Sequence, residues 1–311
     1  MENHNHNSSH SHAHVHGHSH GHSHAHHHTA SERIGWAFFL NVTFTIIEFI
    51  GGWLTNSTAI MADAVHDLGD SLAIGTAWGL NKLGEKDANP VFTYGFRRFS
   101  LLGALLNSLI LIVGAVWILF EAIPRLSNPE MPQTEGMFVL AIFGVAVNGY
   151  AAFKLSAGET LNERVLNWHL MEDVLGWVAV LIVSVVLMFK PWPILDPILS
   201  IAFTLFILIN VVKNLKVTLV LFLQATPDKS THDNVKDILM SPDSIDDVHH
   251  LHIWSLDGEK HVMTAHLVLN EQIGIQQMKA LKADLNEQLS PFGLAHTTIE
   301  FEFSDEVCRD K

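Results

Sequence analysis

The sequence predicts an α-helical membrane protein in which six transmembrane helices are followed by a small α+β domain of order α-β-β-α-β. Three observations carry this. Nearly half of the 311 residues are hydrophobic and only 16% are charged, too apolar a balance for an ordinary soluble chain of this length. Six runs near the ~20 apolar residues needed to cross ~30 Å of hydrocarbon follow one another. After Leu223 these runs stop and short amphipathic and alternating segments take over. The net charge of −14, with Lys and Arg totalling only 18, argues against nucleic acid as a partner, because phosphate binding needs a clustered basic surface.

Residues 1–30 hold more than half of the 22 histidines, alternating with small polar residues as in His16-Gly-His-Ser-His-Gly-His-Ser-His24. Such a segment cannot bury a core, so it is expected to be a disordered tail that collects Zn²⁺, Ni²⁺ or Cu²⁺ loosely. It has no apolar stretch of the signal-peptide kind, so it is expected to be retained. A membrane domain over 31–223 follows, with spans at approximately 34–54, 58–82, 99–122, 136–156, 165–189 and 193–213. The connections at Thr55-Asn56-Ser57 and Lys190-Pro-Trp-Pro193 are short enough to force antiparallel neighbours. With the N-terminus inside, the inner flanks carry Arg33, Lys82, Lys86, Arg97, Arg98, Lys154, Arg164, Lys213 and Lys216, whereas the outer loops carry Arg125 and Lys190. That asymmetry places both termini in the cytoplasm. Residues 224–304 read as helix, strand, strand, helix, strand, with Asp257-Gly258 as the turn of a hairpin, and 305–311 as a charged tail.

The chemistry lies in Met61-Ala-Asp-Ala-Val-His-Asp-Leu-Gly-Asp70. Asp63, His66, Asp67 and Asp70 fall at i, i+3, i+4 and i+7, so they share one helical stripe. The fifth span repeats the spacing with His169 and Asp173. An Asp at the bilayer centre costs ~2.5–3.5 kcal/mol, so ionisable groups at that depth read as a binding site or ion path. Two imidazoles and two carboxylates are the donor number and type of a tetrahedral Zn²⁺ site. The second span runs inward and the fifth outward, so the two His-x-x-x-Asp pairs can meet at one depth. Asp63 and Asp67 are expected to support the ligands or relay protons. Asn41, Glu48, Asn107, Glu121 and Asn148 are expected to hydrogen-bond between helices or, for some of them, to line the cavity. The single cysteine, Cys308, excludes an internal disulfide framework and any cysteine-based zinc cluster within one chain, so metal chemistry is expected to use His, Asp and Glu.

These residues resemble the cation diffusion facilitator family of zinc transporters, bacterial and zinc-preferring in type. The resemblance covers about Arg33 to Glu302. It rests on Asp63-Ala-Val-His66 with Asp70, Tyr94-Gly-Phe-Arg-Arg98, Glu121-Ala-Ile-Pro-Arg125, His169 with Asp173, and His249-His-Leu-His-Ile-Trp254. It implies a homodimer in the inner membrane that exchanges cytoplasmic Zn²⁺ for protons at His66, Asp70, His169 and Asp173, with a ferredoxin-like cytoplasmic domain that binds further zinc. In that domain His249, His266 and Glu302 match metal-binding positions, and His232 and His296 are candidates to complete the set. His250, His252 and His261 rank lower, because adjacent strand positions point to opposite faces. The loop Glu85–Tyr94 has no histidine, so the loop site of some relatives is expected to be absent.

The donors must lose protons to take Zn²⁺, so exposing one site alternately to the two sides couples metal to protons without enzyme chemistry. A membrane-bound zinc sensor or storage protein would share the His-rich tail but has no reason to bury two His-x-x-x-Asp pairs. An intramembrane metallohydrolase would want an open water position and a His-Glu-x-x-His pair, which is lacking. A channel would use polar rings without tight ligands.

Overall fold

The computed structural model describes residues 25–84, 86, 88–155, 161–270 and 273–310; the side chains of 25–37, 77–78, 81–82, 84, 154–155 and 161–169 lie outside that description. The histidine-rich stretch before Ala25 therefore lies outside the described residues. Six long helices come first: α1 (Ala25–Thr55), α2 (Thr58–Gly84), α3 (Phe99–Ser127), α4 (Thr134–Leu155), α5 (Leu161–Phe189) and α6 (Leu195–Phe222). Five of them, all but α2, are long and apolar enough by length and composition to cross a membrane. In α2 the run is interrupted by Asp63, Asp67 and Asp70. The polarity is inverted relative to a water-soluble bundle. Phe120, Val139, Phe153 and Phe189 are exposed, whereas Glu48, Asp63, Asp67, Ser184, Asp196 and Thr204 are buried. Only an apolar surrounding medium makes that arrangement favourable.

The helices pack as α1 with α2, α3 with α6 and α4 with α5, and α2 also runs against α3, α6 and, lightly, α5. Polar contacts fasten α2 on several sides. Asn41 on α1 donates to Ser71 Oγ at 3.1 Å, next to a Thr45–Ser71 hydroxyl pair at 3.3 Å, as expected for Asn41. At the opposite end Asp196, 1% exposed, accepts from Ser57 Oγ (2.5 Å), Thr58 N (2.7 Å) and Thr58 Oγ1 (2.8 Å). It supplies from α6 the acceptor that the first turn of α2 lacks. Arg125 on α3 donates to Asn56 O (3.0 Å) and Oδ1 (2.9 Å) and pairs with Glu121 at 2.6 Å, holding the α1–α2 turn where Asn56 is left-handed (φ 53°). The Glu121…Arg125 motif is thus a brace between helices.

The C-terminal unit comprises α7 (Lys229–Leu239), β1 (Ile245–Ser255), β2 (His261–Leu269), α8 (Ile275–Leu289), a 3₁₀ turn and β3 (Leu294–Phe303). These bounds agree closely with the predicted α-β-β-α-β order. The sheet order is β1-β2-β3, antiparallel then parallel, with α8 as the crossover. Asp228 caps α7 through Thr231 N at 2.7 Å. Asp257 Oδ1 accepts from Glu259 N (2.9 Å) and Lys260 N (2.7 Å), and Gly258 takes φ 100°, so the Asp-Gly hairpin forms as predicted. Val235 and Leu239 of α7, Leu281 and Leu285 of α8, and alternate residues of β2 (Met263, Ala265, Leu267, Leu269) form the core. Strand alternation then puts Thr264 and His266 on the face turned away from the helices.

The Tyr94–Arg98 segment joins the two units. Phe92, Phe96 and Phe99 pack ring on ring at 5.0–5.8 Å. The segment then presents Tyr94 edge-on to Trp254 (6.4 Å) and His296 (5.0 Å). Arg97 pairs with Asp257 at 3.1 Å, and Arg98 donates to Phe222 O at 2.8 Å, closing the end of α6.

Candidate functional site

Among the described residues, two clusters of metal-donor side chains emerge. The first is on the α2 stripe. His66 Nε2 stands 3.7 Å from Asp70 Oδ2, one turn along the same helix, and 3.6 Å from Asp173 Oδ1 on α5. Donor atoms of His66, Asp67 and Asp70 all lie within 4.8 Å of one another. The helical period brings the first pair together, and the α2–α5 contact supplies the third member. Gly176 on α5 faces Asp63 on α2: a Cβ there would stand 3.5 Å from Asp63 Oδ1, in ordinary van der Waals contact. His169 lies on α5 one turn before Asp173, with its side chain outside the described residues. Asp63 and Asp67 are buried at 6% exposure each, behind His66. Glu48 on α1 bonds between helices as expected: it is 1% exposed and faces Asp67 on α2, which joins it to the acidic cluster. Its link to that cluster in particular was not legible in the sequence. Nothing in the local pattern of α1 could have shown this, since its partners lie on α2.

The second cluster is on the open face of the sheet. His249 on β1 pairs in register with His266 on β2, and His266 with Glu300 on β3. His266 Nδ1 is 2.6 Å from Glu302 Oε1, and His249 Nε2 is 3.1 Å from Glu302 Oε2. Each imidazole turns its other nitrogen to a carboxylate: His249 Nδ1 to Asp247 (3.4 Å), His266 Nε2 to Asp310 (3.6 Å) and Glu300 (3.8 Å). A metal-binding histidine has this arrangement, in which an outer carboxylate fixes ring orientation and tautomer. Burial acts to raise the Glu302 pKa, but the hydrogen bonds from His266 and Cys308 and the charge of His249 outweigh it and hold the carboxyl below its ordinary range. Glu302 is therefore an anion ready to ligate, and the donor set fits a resident Zn²⁺.

Three expectations change here. Cys308 lies with its Sγ 3.5 Å from His266 Nδ1 and groups with His249, His266 and Glu302; one thiol can be a single donor in a mixed set. His296 shares the outward parity of Glu302 but stands six residues back along β3, roughly 20 Å at ~3.3 Å per residue, where it meets Tyr94. His232 sits on α7, beside Asp233 at 3.2 Å. Neither joins the cluster. His250 is not carried to the opposite face by simple alternation. A β-bulge between His249 and His252, with His250 left-handed (φ 49°), brings its ring within 5.2 Å of His249 and 5.1 Å of His266.

The sequence profile of a cation efflux transmembrane domain matches residues 36–223, and that of a cation efflux protein cytoplasmic domain matches residues 227–303. A cadmium, cobalt and zinc/H(+)-K(+) antiporter of Bacillus subtilis is 32% identical over 88% of this chain and 89% of its own. A metal cation efflux system protein CzcD of Cupriavidus metallidurans is 32% identical over 85% of this chain and 84% of its own. A zinc transporter ZitB of Pectobacterium atrosepticum is 31% identical over 88% and 86%. With both halves matched in order, and relatives of this similarity aligned along most of its length, the chain belongs to the cation efflux (cation diffusion facilitator) family and is a multi-pass membrane transporter of metal cations.

Proposed function

We propose that this transporter exports Zn²⁺ from the cytoplasm in exchange for protons, through a tetrahedral site of His66, Asp70, His169 and Asp173. The observation that carries this reading is the position of His66 Nε2, between a carboxylate of its own helix at 3.7 Å and one of α5 at 3.6 Å. Imidazole with carboxylate suits a borderline ion such as Zn²⁺ better than a hard one such as Mg²⁺. The zinc names of relatives point the same way.

Facing the cytoplasm, the site gives up its protons as it takes the ion, because the donors must be deprotonated to bind. The donors come from α2 and α5, so a small separation of these helices dismantles the site, and protons arriving from the far side compete the ion off. Asp63, Asp67 and Glu48 supply further carboxylates within reach for proton movement. In this reading α2 is the sixth span, its acids tolerated because they face the bundle interior. Both termini are in the cytoplasm and the protein resides in the bacterial inner membrane. The domains divide at about residues 30, 223 and 304, two copies pair as a homodimer, and His249, His266 and Glu302 hold a resident zinc.

The test is full-length protein in vesicles under an imposed pH gradient. Saturable Zn²⁺ movement that follows the gradient and is lost in Asp173→Ala is expected. Flux indifferent to the gradient would overturn proton exchange, and wild-type flux in the variant would overturn the site.

A further inference from the structure

We infer that Cys308 is a metal ligand: the C-terminal tail folds back to give the cytoplasmic cluster a thiolate as its fourth donor beside His249, His266 and Glu302. The inference rests on the reading that this cluster holds a metal, and adds to it a residue outside the matched domain, which ends at 303.

The tail is placed by a built turn. Glu306 N donates to Phe303 O at 2.9 Å, and Phe303 N donates to Glu306 Oε2 at 2.9 Å, so the chain reverses as β3 ends. The reversal carries Cys308 back alongside Glu302 and His266. Asp310 reaches His266 Nε2 on β2 at 3.6 Å, and Arg309 pairs with Glu300 on β3 at 3.3 Å, so the residues just after the thiol are tied to both strands of the cluster. Sγ stands 3.5 Å from His266 Nδ1. A tetrahedral zinc with Zn–S of about 2.3 Å and Zn–N of about 2.0–2.1 Å separates those two donors by about 3.6 Å.

Among the described residues, the rest of the cluster offers three donors within 4.8 Å of one another. His249 and His266 each spend their outward nitrogen on a carboxylate, leaving one nitrogen apiece for the cluster. Glu302 is 7% exposed and directed at both rings. Tetrahedral structural zinc needs four donors, and among the described residues Cys308 is the side chain that joins these three within 4.8 Å. The resulting His₂GluCys set differs from the His₂Asp₂ set proposed within the membrane. A soft donor favours zinc and other thiophilic ions and strengthens retention of a resident ion.

The composition makes the test unambiguous, because the chain has one cysteine among its 311 residues. Purified full-length protein is titrated with Co²⁺ and its near-ultraviolet absorption recorded, since only a cobalt–thiolate bond gives the intense charge-transfer band there. Histidines of the N-terminal stretch and of the membrane helices contribute none. The expected result is a band in the wild type that disappears in Cys308→Ser and also in His266→Ala. Alkylation of Cys308 in the wild type, slowed by Zn²⁺, reads the same bond without relying on any variant to fold. A wild type with no band and no protection overturns the assignment; if His266→Ala still removes visible d–d absorption, the cluster binds metal without the thiol. A band that survives in both His266→Ala and Glu302→Ala also overturns it, because the thiolate would then be bound elsewhere. Cobalt binding unchanged in every respect by those two variants would overturn the cytoplasmic metal reading itself. None of these outcomes depends on zinc flux.

Discussion

The two clusters use related donors on opposite scaffolds. In the membrane, the donors are divided between α2 and α5, which touch lightly, and the described separations are 3.6 and 3.7 Å. In the C-terminal domain the donors sit on adjacent strands of one hydrogen-bonded sheet, closed to 2.6–3.5 Å, with both imidazoles backed by carboxylates. A carried ion must be released, and a site split between two weakly joined helices comes apart when they move. A resident ion is retained best by donors whose positions the backbone ladder already fixes. In the proposed reading, the difference in scaffold therefore separates cargo from cofactor.

The largest effect tests whether the clusters are separable. Asp70→Ala removes a carboxylate from the proposed transport site and is expected to reduce zinc flux by at least ~100-fold, beyond the 10–100-fold typical of losing an outer-shell partner. Cobalt bound by the C-terminal cluster should be unaffected. Vesicle flux and cobalt spectroscopy on the same preparation check both halves, and loss of both would mean that the clusters are not independent.

Glu302→Ala is the converse. Its carboxylate bridges His249 and His266, so the variant should lose resident metal, with affinity falling by more than ~100-fold, beyond the outer-shell range, while flux stays within about tenfold of wild type. Equilibrium metal content after dialysis reads the first effect. A smaller step along the same series is Asp247→Ala, which removes the carboxylate 3.4 Å from His249 Nδ1 but no donor. Asp247 is well exposed, so a loss near ~10-fold, the low end of the outer-shell range, is expected. An effect as large as that of Glu302→Ala would make Asp247 a ligand.

The helical cluster was legible in the sequence and the strand cluster only in part, for a geometric reason. A helix puts i, i+3, i+4 and i+7 on one stripe whatever surrounds it, so His66 and Asp70 could be read directly, and Asp173 followed from the repeated spacing. Across a sheet, neighbours are set by register, which the chain order does not reveal. His249, His266 and Glu302 came from family likeness, His296 was placed with them although it lies at the far end of β3, and the bulge at His250 defeated simple alternation. Cys308 depended on a turn formed by Phe303 and Glu306. Glu48 and Asp196 were each a lone acid in an apolar helix whose partners lie on α2, and Tyr94 and Arg97 were visible as a motif without a role. The α-β-β-α-β order itself was legible because Asp257-Gly258 and the amphipathic periods are local signals.

The smallest expected effect concerns the contact that joins the two regions. Arg97 reaches Asp257 at 3.1 Å from a guanidinium that is 47% exposed, and exposed pairs contribute ~0.2–1 kcal/mol. Arg97→Ala should therefore leave both clusters intact and increase hydrogen exchange severalfold at most in residues 91–99. The pH dependence follows from Asp257. Partial burial acts to raise its pKa, but the amides of Lys260 and Glu259 and the Arg97 guanidinium outweigh it, so the carboxyl titrates below its ordinary range. A group with a lowered folded pKa contributes stability that is fully present above the unfolded value of ~3.9 and is lost as pH falls through the folded one. Across pH 5–8 the Asp257 carboxyl stays ionised, so its contact with Arg97 should hold constant. The difference in exchange between wild type and Arg97→Ala should then be flat over that window. A difference that rose or fell with pH between 5 and 8 would show that His261, which burial holds below its ordinary pKa and whose charge couples to Asp257, controls the joint.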